Sequence, residues 1–116
     1  MKTANPVSRE YEALLSEYDA LITPTVSSTA PKLVPREAGL LEQWKADQGI
    51  ALNTAQFNLT GNPAMALPIG FLPDLSGADE NVKLPVSMQI VGPLHREDKI
   101  LKVGYAYEKM FDWRKE

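Results

Sequence analysis

The sequence contains no cysteine among its 116 residues. This absence excludes a disulfide framework, a thiolate zinc site and a cysteine nucleophile, and it removes the usual sign of an oxidising compartment. Long apolar runs are missing as well: no stretch approaches the roughly 20 apolar residues of a membrane span, and the first residues lack the apolar core of a secretory leader. We therefore expect a cytoplasmic protein with no membrane association.

Positive charge is not in surplus either. Twelve lysines and arginines stand against fifteen aspartates and glutamates, giving a net charge of -3. Nucleic-acid binding depends on cations that displace condensed counterions, so we expect no nucleic-acid partner. The single histidine and the lack of thiolates leave no evident ligand set, and we expect neither a metal nor a cofactor.

What is present is typical of one small folded domain. The chain is 44% hydrophobic and 23% charged, and nine prolines and seven glycines are spread along it without a period. This composition excludes wholesale disorder and predicts frequent loops.

Apolar residues recur at helical spacing in several segments. The first, with Val7, Tyr11, Leu14, Leu15 and Tyr18 on one side, predicts a helix over residues 6–17. A narrow apolar stripe predicts a second helix over residues 37–48. A shorter, partly polar segment before Gly61 predicts a third helix over residues 51–60. The last begins near residue 96 and extends to the end of the chain, with one face formed by Ile100, Val103, Tyr107, Met110 and Phe111.

Three segments have the pattern of strands. Residues 19–23 are a short apolar run ended by a proline, which predicts a brief buried strand. Residues 64–71 are apolar almost throughout, and residues 84–91 have apolar side chains at alternate positions. Pro68 is tolerated only at an edge or a bulge. Residues 23–35 are predicted as a long loop, residues 72–83 as a solvated turn, and 64–71 with 84–91 as a hairpin-like pair. The expected fold is α/β, with about three helices and three strands of a mixed sheet.

Two features indicate that this fold is incomplete on its own. The apolar strands lack the neighbours that would cover both faces. Gly104 lies in mid-helix at a cost of about 1 kcal/mol, which usually marks a close crossing by another element, yet no partner for it is evident in the sequence. We therefore expect marginal folding and association into dimers, larger species or aggregates.

Three segments in order resemble one enzyme family. They are Tyr18–Thr25 (YDALITPT), Phe57–Gly70 (FNLTGNPAMALPIG) and Leu84–Pro93 (LPVSMQIVGP), the last followed by Arg96–Asp98. Together they are similar to the C-terminal part of the amidase signature family, the serine hydrolases that cleave carboxamides, over about residues 6–113. The acetamidase-like branch is the most similar. The resemblance implies that residues 1–116 form a partial, C-terminal amidase domain.

The chemistry that the family implies is incomplete here. Its members use a serine nucleophile, a second serine in a cis peptide and a lysine base, with the serines in a glycine- and serine-rich signature upstream of the matched segments. No such signature occurs, so we expect the chain alone to be inactive and to supply sheet edge and cleft wall. The implied partners are a small-molecule amide in the complete enzyme and an N-terminal amidase portion. Gln56, Asn58 and Thr60 are the candidate substrate-binding residues, because amides and hydroxyls orient carboxamides; capping and turn roles near Gly61 remain open.

Other candidate residues favour structural roles. Ser27 and Ser28, with Lys32 nearby, are a tandem hydroxyl run without flanking glycines, typical of a loop. His95 is expected at the surface near a helix start. Asp19 is expected to accept hydrogen bonds from backbone amides where a helix gives way to a strand.

Two further patterns have simple explanations. Asn58-Leu59-Thr60 matches the glycosylation sequon by chance, and the closing aromatic set (Tyr105, Tyr107, Phe111 and Trp113) is expected to be a packing face. The alternative function is a non-catalytic interaction protein derived from an amidase, which binds an amidase or forms a homo-oligomer.

Overall fold

The computed structural model describes residues 6–46, 49–74 and 81–115. Four α-helices, three strands and one 3-10 turn follow in chain order: α1 Pro6–Glu17, β1 Leu21–Pro24, α2 Leu40–Ala46, α3 Ala55–Thr60, β2 Ala64–Pro73, β3 Lys83–Val91, α4 Glu97–Met110, and the turn Trp113–Lys115. The α/β class and the bounds of α1 are confirmed. Helix α2 begins three residues later than predicted, α3 begins four residues later, and α4 ends before the end of the chain. Residues 47–48 of the predicted second helix and 75–80 of the predicted turn lie outside the described residues. No helix in the described ranges is both long and apolar enough to cross a bilayer.

The three strands form one sheet in the order β1-β3-β2. Both pairings are antiparallel, with Leu21 opposite Val91 in one and Ala64 opposite Val91 in the other. The expected mixed sheet is therefore antiparallel throughout the described residues. A parallel neighbour needs a crossover of a dozen or more residues, and β2 and β3 are joined by residues 74–82 alone, which suits a hairpin.

The β2–β3 hairpin carries a bulge where β2 contains its proline. The register slips between Pro68 and Gly70, and Gly70 has φ +147°, a backbone conformation that L side chains rarely adopt. In the described sheet β2 is an edge strand, so both conditions predicted for Pro68 are met. The predicted pairing of the two segments is confirmed.

The core lies between one face of the sheet and α4. Leu67, Met88, Ile90 and Ile100 form a buried cluster, and Ile90 is 0% exposed. Gly104 of α4 lies directly against Met65 of β2, since a Cβ at Gly104 would overlap Met65 Cε. The partner of Gly104 that was not evident in the sequence thus lies within this chain. The partner is a strand residue 39 positions earlier, which helical spacing cannot reveal.

The predicted apolar stripe of α1 is mostly uncovered. Leu15 is buried, and Tyr11 packs edge-on against Phe57 of α3 with ring centroids 5.2 Å apart. Leu14 and Tyr18, however, are 45% and 57% exposed. The helix therefore uses only part of its apolar side within the described residues.

The molecule is a thin slab with dimensions 47 × 39 × 17 Å. Its radius of gyration is 17.0 Å, against roughly 13 Å for a compact domain of this length. Its accessible surface is 8641 Å², about 2,300 Å² more than the scaling for compact monomers of this mass gives. The expectation of uncovered apolar surface agrees with these dimensions.

Two charged groups meet at the start of α4 and make stability depend on pH. Arg96 donates from Nε and Nη2 to the two carboxylate oxygens of Asp98 at 2.7 and 2.9 Å. This lowers the pKa of Asp98 from 3.8 to about 2. Because the unfolded chain keeps the ordinary pKa, the ionised carboxylate stabilises the folded state above about pH 4, and this contribution is lost as pH falls to about 2.

We expect acidification across that window to lower the urea midpoint of the wild type more than that of Arg96→Ala, in which the pKa of Asp98 returns toward its ordinary value. Arg36→Ala, at an exposed turn outside this pair, is the matched control and should retain the wild-type pH dependence. An equal acid sensitivity in Arg96→Ala would contradict the assignment.

Candidate functional site

The predicted substrate-binding residues lie on α3 but do not share one face. Gln56 and Thr60 are four residues apart and lie on the same side of the helix. Asn58 lies between them on the opposite side and is exposed. Thr60 is 8% exposed, and its Oγ1 is buried with no hydrogen-bond partner among the described residues. The helix therefore brings together two of the three residues and separates the third.

Gln56 belongs to a polar cluster that ties the segment before α3 to the sheet. The backbone oxygen of Asn53 accepts hydrogen bonds from Gln56 Nε2 at 3.0 Å and from Gln89 Nε2 at 2.8 Å. Gln89 Nε2 also donates to Thr23 Oγ1 at 3.1 Å, and Asn53 Nδ2 donates to the oxygen of Pro24 at 3.1 Å. Three segments distant in sequence are thus joined through the side chain of Gln89 and both polar groups of Asn53.

Gln89 is the buried residue of this cluster that sequence reasoning missed. It is 4% exposed and faces away from Met88 and Ile90, since side chains alternate along a strand. The signal was available: Gln89 is the one amide within the run Met88–Val91, and a buried amide requires partners. Its partners could not be deduced, because they lie 36 and 66 residues away.

Removing this side chain should destabilise the fold. We expect Gln89→Ala to lower the free energy of unfolding by about 1–2 kcal/mol, because two hydrogen bonds are lost at a buried position. Gln43→Ala is the matched control, since Gln43 Nε2 makes one exposed bond to the oxygen of Ala38 and its loss should cost less than about 0.5 kcal/mol. Urea denaturation of both variants measures the difference; equal midpoints would contradict the role given to Gln89.

The tandem serines line a groove on the sheet instead of a catalytic centre. Ser27 and Ser28 are exposed and border an apolar groove of about 490 Å³ formed by β1, β2 and β3. Lys32 is exposed, and no hydrogen bond or ion pair in the described part of the chain joins it to either serine. A hydroxyl needs a base within hydrogen-bond reach to act as a nucleophile, and this arrangement does not provide one.

His95 and Asp19 are both near the start of α4. His95 is exposed, as expected, and has φ +59° in the turn before the helix. Asp19 Oδ1 accepts a hydrogen bond from Lys99 Nζ at 2.7 Å, which lowers the pKa of Asp19. The expectation that backbone amides satisfy this carboxylate was wrong, because Lys99 of α4 projects to the end of the α1–β1 connection.

The closing aromatic residues form two separate contacts. Tyr107 packs against the core and stacks on Phe111 with centroids 5.0 Å apart, and Trp113 lies 5.7 Å from Phe71 of β2. Tyr105 is 62% exposed and has the amine of Lys109 at 5.3 Å from its ring centre. The expected packing face therefore includes all but Tyr105.

No cluster of metal-ligating side chains occurs in residues 6–46, 49–74 and 81–115.

Comparison with known proteins identifies the family. The family model described as Amidase matches residues 1–101. Similar curated proteins are subunits of glutamyl-tRNA(Gln) amidotransferases; those of Synechococcus elongatus, Acaryochloris marina and Clostridium novyi are 34%, 32% and 31% identical. The matches cover 97%, 98% and 99% of this chain, respectively.

The chain spans only 21% of the length of each of these relatives. The matched region is the C-terminal part of the relative. The resemblance found in the three sequence segments is thus confirmed at the level of the family: the chain belongs to the amidase family.

Proposed function

We propose that this chain is the C-terminal segment of an amidase, in which it supplies part of the sheet and a wall of the substrate cleft but not the nucleophile. The observation that carries the proposal is the placement of its one tandem-serine run. In an amidase-family chain, Ser27 and Ser28 are exposed on a loop, and no hydrogen bond or ion pair among the described residues joins either of them to Lys32. Without an activated hydroxyl, the chain alone should not hydrolyse carboxamides.

The substrate class is a small-molecule carboxamide, bound in the complete enzyme against α3. Asn58 presents an exposed side-chain amide there and is the strongest of the three candidates, whereas the Thr60 hydroxyl is buried on the opposite side of the helix and has no partner among the described residues. Gln56 is the weaker contributor, since its amide nitrogen already donates to Asn53. Amide and hydroxyl groups of this kind orient a carboxamide through paired hydrogen bonds.

The nucleophile and base would come from an N-terminal amidase portion. The relatives are named as one subunit of an amidotransferase, which supports a role in which such a segment works within an assembly. Their name also adds amide-nitrogen transfer to simple amide hydrolysis as a reaction class. Assignment to the acetamidase-like branch stays a prediction. So does the cytoplasmic location suggested by the cysteine-free sequence.

A second candidate function is a non-catalytic interaction protein derived from an amidase. The observation that favours it is the extent of exposed apolar surface, including Leu40, Leu41 and Trp44 of α2, which are 85%, 63% and 60% exposed. Such surface typically marks an interaction site.

Ammonia release tests the main proposal. Purified chain is incubated with acetamide, benzamide or glutamine, and ammonia is measured against a protein-free control; we expect no difference. The double variant Ser27→Ala/Ser28→Ala is the matched control and should give the same background. Release that is present in the wild type and absent from the double variant would overturn the proposal.

A further inference from the structure

The two sides of β2 differ in what their backbone groups meet. The nitrogen of Gly92 donates to the oxygen of Pro63 at 3.0 Å. In an antiparallel pair, residues that exchange such bonds alternate with residues that do not. Met65 therefore directs its N–H and C=O groups to β3, whereas Ala64 and Ala66 on either side of it direct theirs away from the sheet.

A hydrogen bond on the other side of β3 gives the same alternation. The nitrogen of Thr25 donates to the oxygen of Ser87 at 3.1 Å, so Ser87 directs its backbone groups to β1. Ile90, an odd number of positions further on, must direct its groups to β2, where its partner is Met65. Two hydrogen bonds on opposite sides of the central strand thus agree on which residues of β2 face outward.

The β1 edge of the sheet is closed by its own residues. By the same alternation, Ile22 and Pro24 are the residues of β1 that face outward. Pro24 has no N–H to donate, and its oxygen accepts a hydrogen bond from Asn53 Nδ2 at 3.1 Å. Ile22 is then the single residue of β1 with an outward N–H, which is too little for pairing with a further strand.

The β2 edge has no such protection among the described residues. Ala64 and Ala66 are exposed, their side chains are small, and residues 62–72 carry no charge. The strand order β1-β3-β2 places no described strand beyond them. The open stretch ends at Pro68, which also faces outward and has no N–H. Exposed edges are normally blunted by charge, proline or a covering element, so an edge left in this state indicates a strand-pairing surface.

We propose that an extended segment of the N-terminal amidase portion pairs with β2 at Ala64 and Ala66 and continues the sheet. Two residues with both backbone groups outward offer two donors and two acceptors, the main-chain pattern by which an added strand binds. The chain spans 21% of the length of its relatives, so a complete family member has the additional chain from which such a segment can come. The identity of the partner rests on the proposed function, whereas the open edge rests on the hydrogen bonds of Gly92 and Thr25.

Amide hydrogen exchange of the isolated chain, measured by NMR, tests the open edge. We expect the amides of Ala64 and Ala66 to exchange rapidly. Those of Met65 and Leu67, which are bonded to β3, should exchange at least about 100-fold more slowly. Equal exchange rates in the two pairs would overturn the inference.

Binding to an N-terminal amidase portion tests the partner. The probe is the part of the Synechococcus elongatus subunit that this chain does not match, produced separately and titrated with the chain. We expect Ala66→Pro, which removes an outward N–H, to weaken binding at least about tenfold. Ala66→Ser retains the N–H and is the matched control, which should bind as the wild type does.

Ala66→Pro should fold on its own, because proline is tolerated where the N–H of an edge strand faces solvent, and circular dichroism checks this. If it does not fold, amide exchange of the wild type in the complex decides instead. Ala64 and Ala66 should become protected when the N-terminal portion binds. Amides that stay unprotected in the complex would overturn the proposal.

No binding by the wild type, or binding that Ala66→Pro leaves unchanged, would also overturn it. So would association of the chain with itself that Ala66→Pro removes, since that result assigns the edge to a second copy. Ammonia release by the complex separates the two proposals. An inactive complex that Ala66→Pro dissociates would overturn only the proposed function, and an active complex that Ala66→Pro leaves intact would overturn only the strand pairing.

Discussion

Ile90→Ala is expected to lower the free energy of unfolding by about 2–5 kcal/mol, because it removes buried methyl groups and leaves a cavity. Ile90 is 0% exposed and contacts the cluster of Leu67, Met88 and Ile100 that joins the sheet to α4. Small domains are stable by only about 5–15 kcal/mol. This domain also buries less surface than a compact monomer of the same mass. The substitution should therefore abolish most of the cooperative unfolding transition.

The matched control for this prediction is Ile50→Ala, the same change at a side chain that is 43% exposed. Its cost should be below about 1 kcal/mol, since exposed positions contribute little burial. Both variants and the wild type are unfolded in urea at one protein concentration, so that any self-association affects them equally. A similar loss in the two variants would contradict the core described here.

Gly92→Ala is expected to cost about 1–3 kcal/mol through overpacking. A Cβ at Gly92 would lie 2.7 Å from Ile100 Cγ2 and 3.4 Å from the backbone oxygen of Arg96. Ile100 is 5% exposed, so its branched side chain has little room to move away. The first turn of α4 would have to shift from the end of β3, which would disturb the same core.

Gly39→Ala is the control for that change. No atom lies within 4 Å of a Cβ built at Gly39, which precedes a helix with no buried residues. Its effect on the unfolding midpoint should be within about 0.5 kcal/mol. If Gly39→Ala and Gly92→Ala reduced stability equally, the close approach between β3 and α4 would be refuted.

Elements with a regular apolar period were predictable from the sequence. The bounds of α1 agree at both ends, because a proline begins the helix and its apolar stripe ends at Tyr18, one residue beyond the last helical residue. The β2–β3 hairpin was likewise predictable from alternation, and Pro68 predicted that β2 carries either an edge position or a bulge. In contrast, the segment predicted as helix over 51–60 begins its helix only at Ala55, because residues 49–54 form turns whose polar groups reach the sheet.

Contacts between distant segments could not be predicted, since periodicity shows which way a side chain faces but not what it meets. The Asp19–Lys99 bond joins residues 80 positions apart, and the Gln89–Asn53 bond joins residues 36 apart. Within the candidate site, the separation of Asn58 from Gln56 and Thr60 was deducible from helical geometry alone. The link from Gln56 through Asn53 to the sheet was not.

The claim that the described residues of this amidase-family chain hold no activated nucleophile is tested most directly by a serine-reactive fluorophosphonate and intact-mass spectrometry. The reagent phosphonylates hydroxyls that an adjacent base has activated and spares ordinary serines. We predict an unchanged mass after prolonged incubation, with a fully active serine hydrolase labelled in parallel. A single stoichiometric adduct on Ser27, Ser28 or Ser87 would contradict the account.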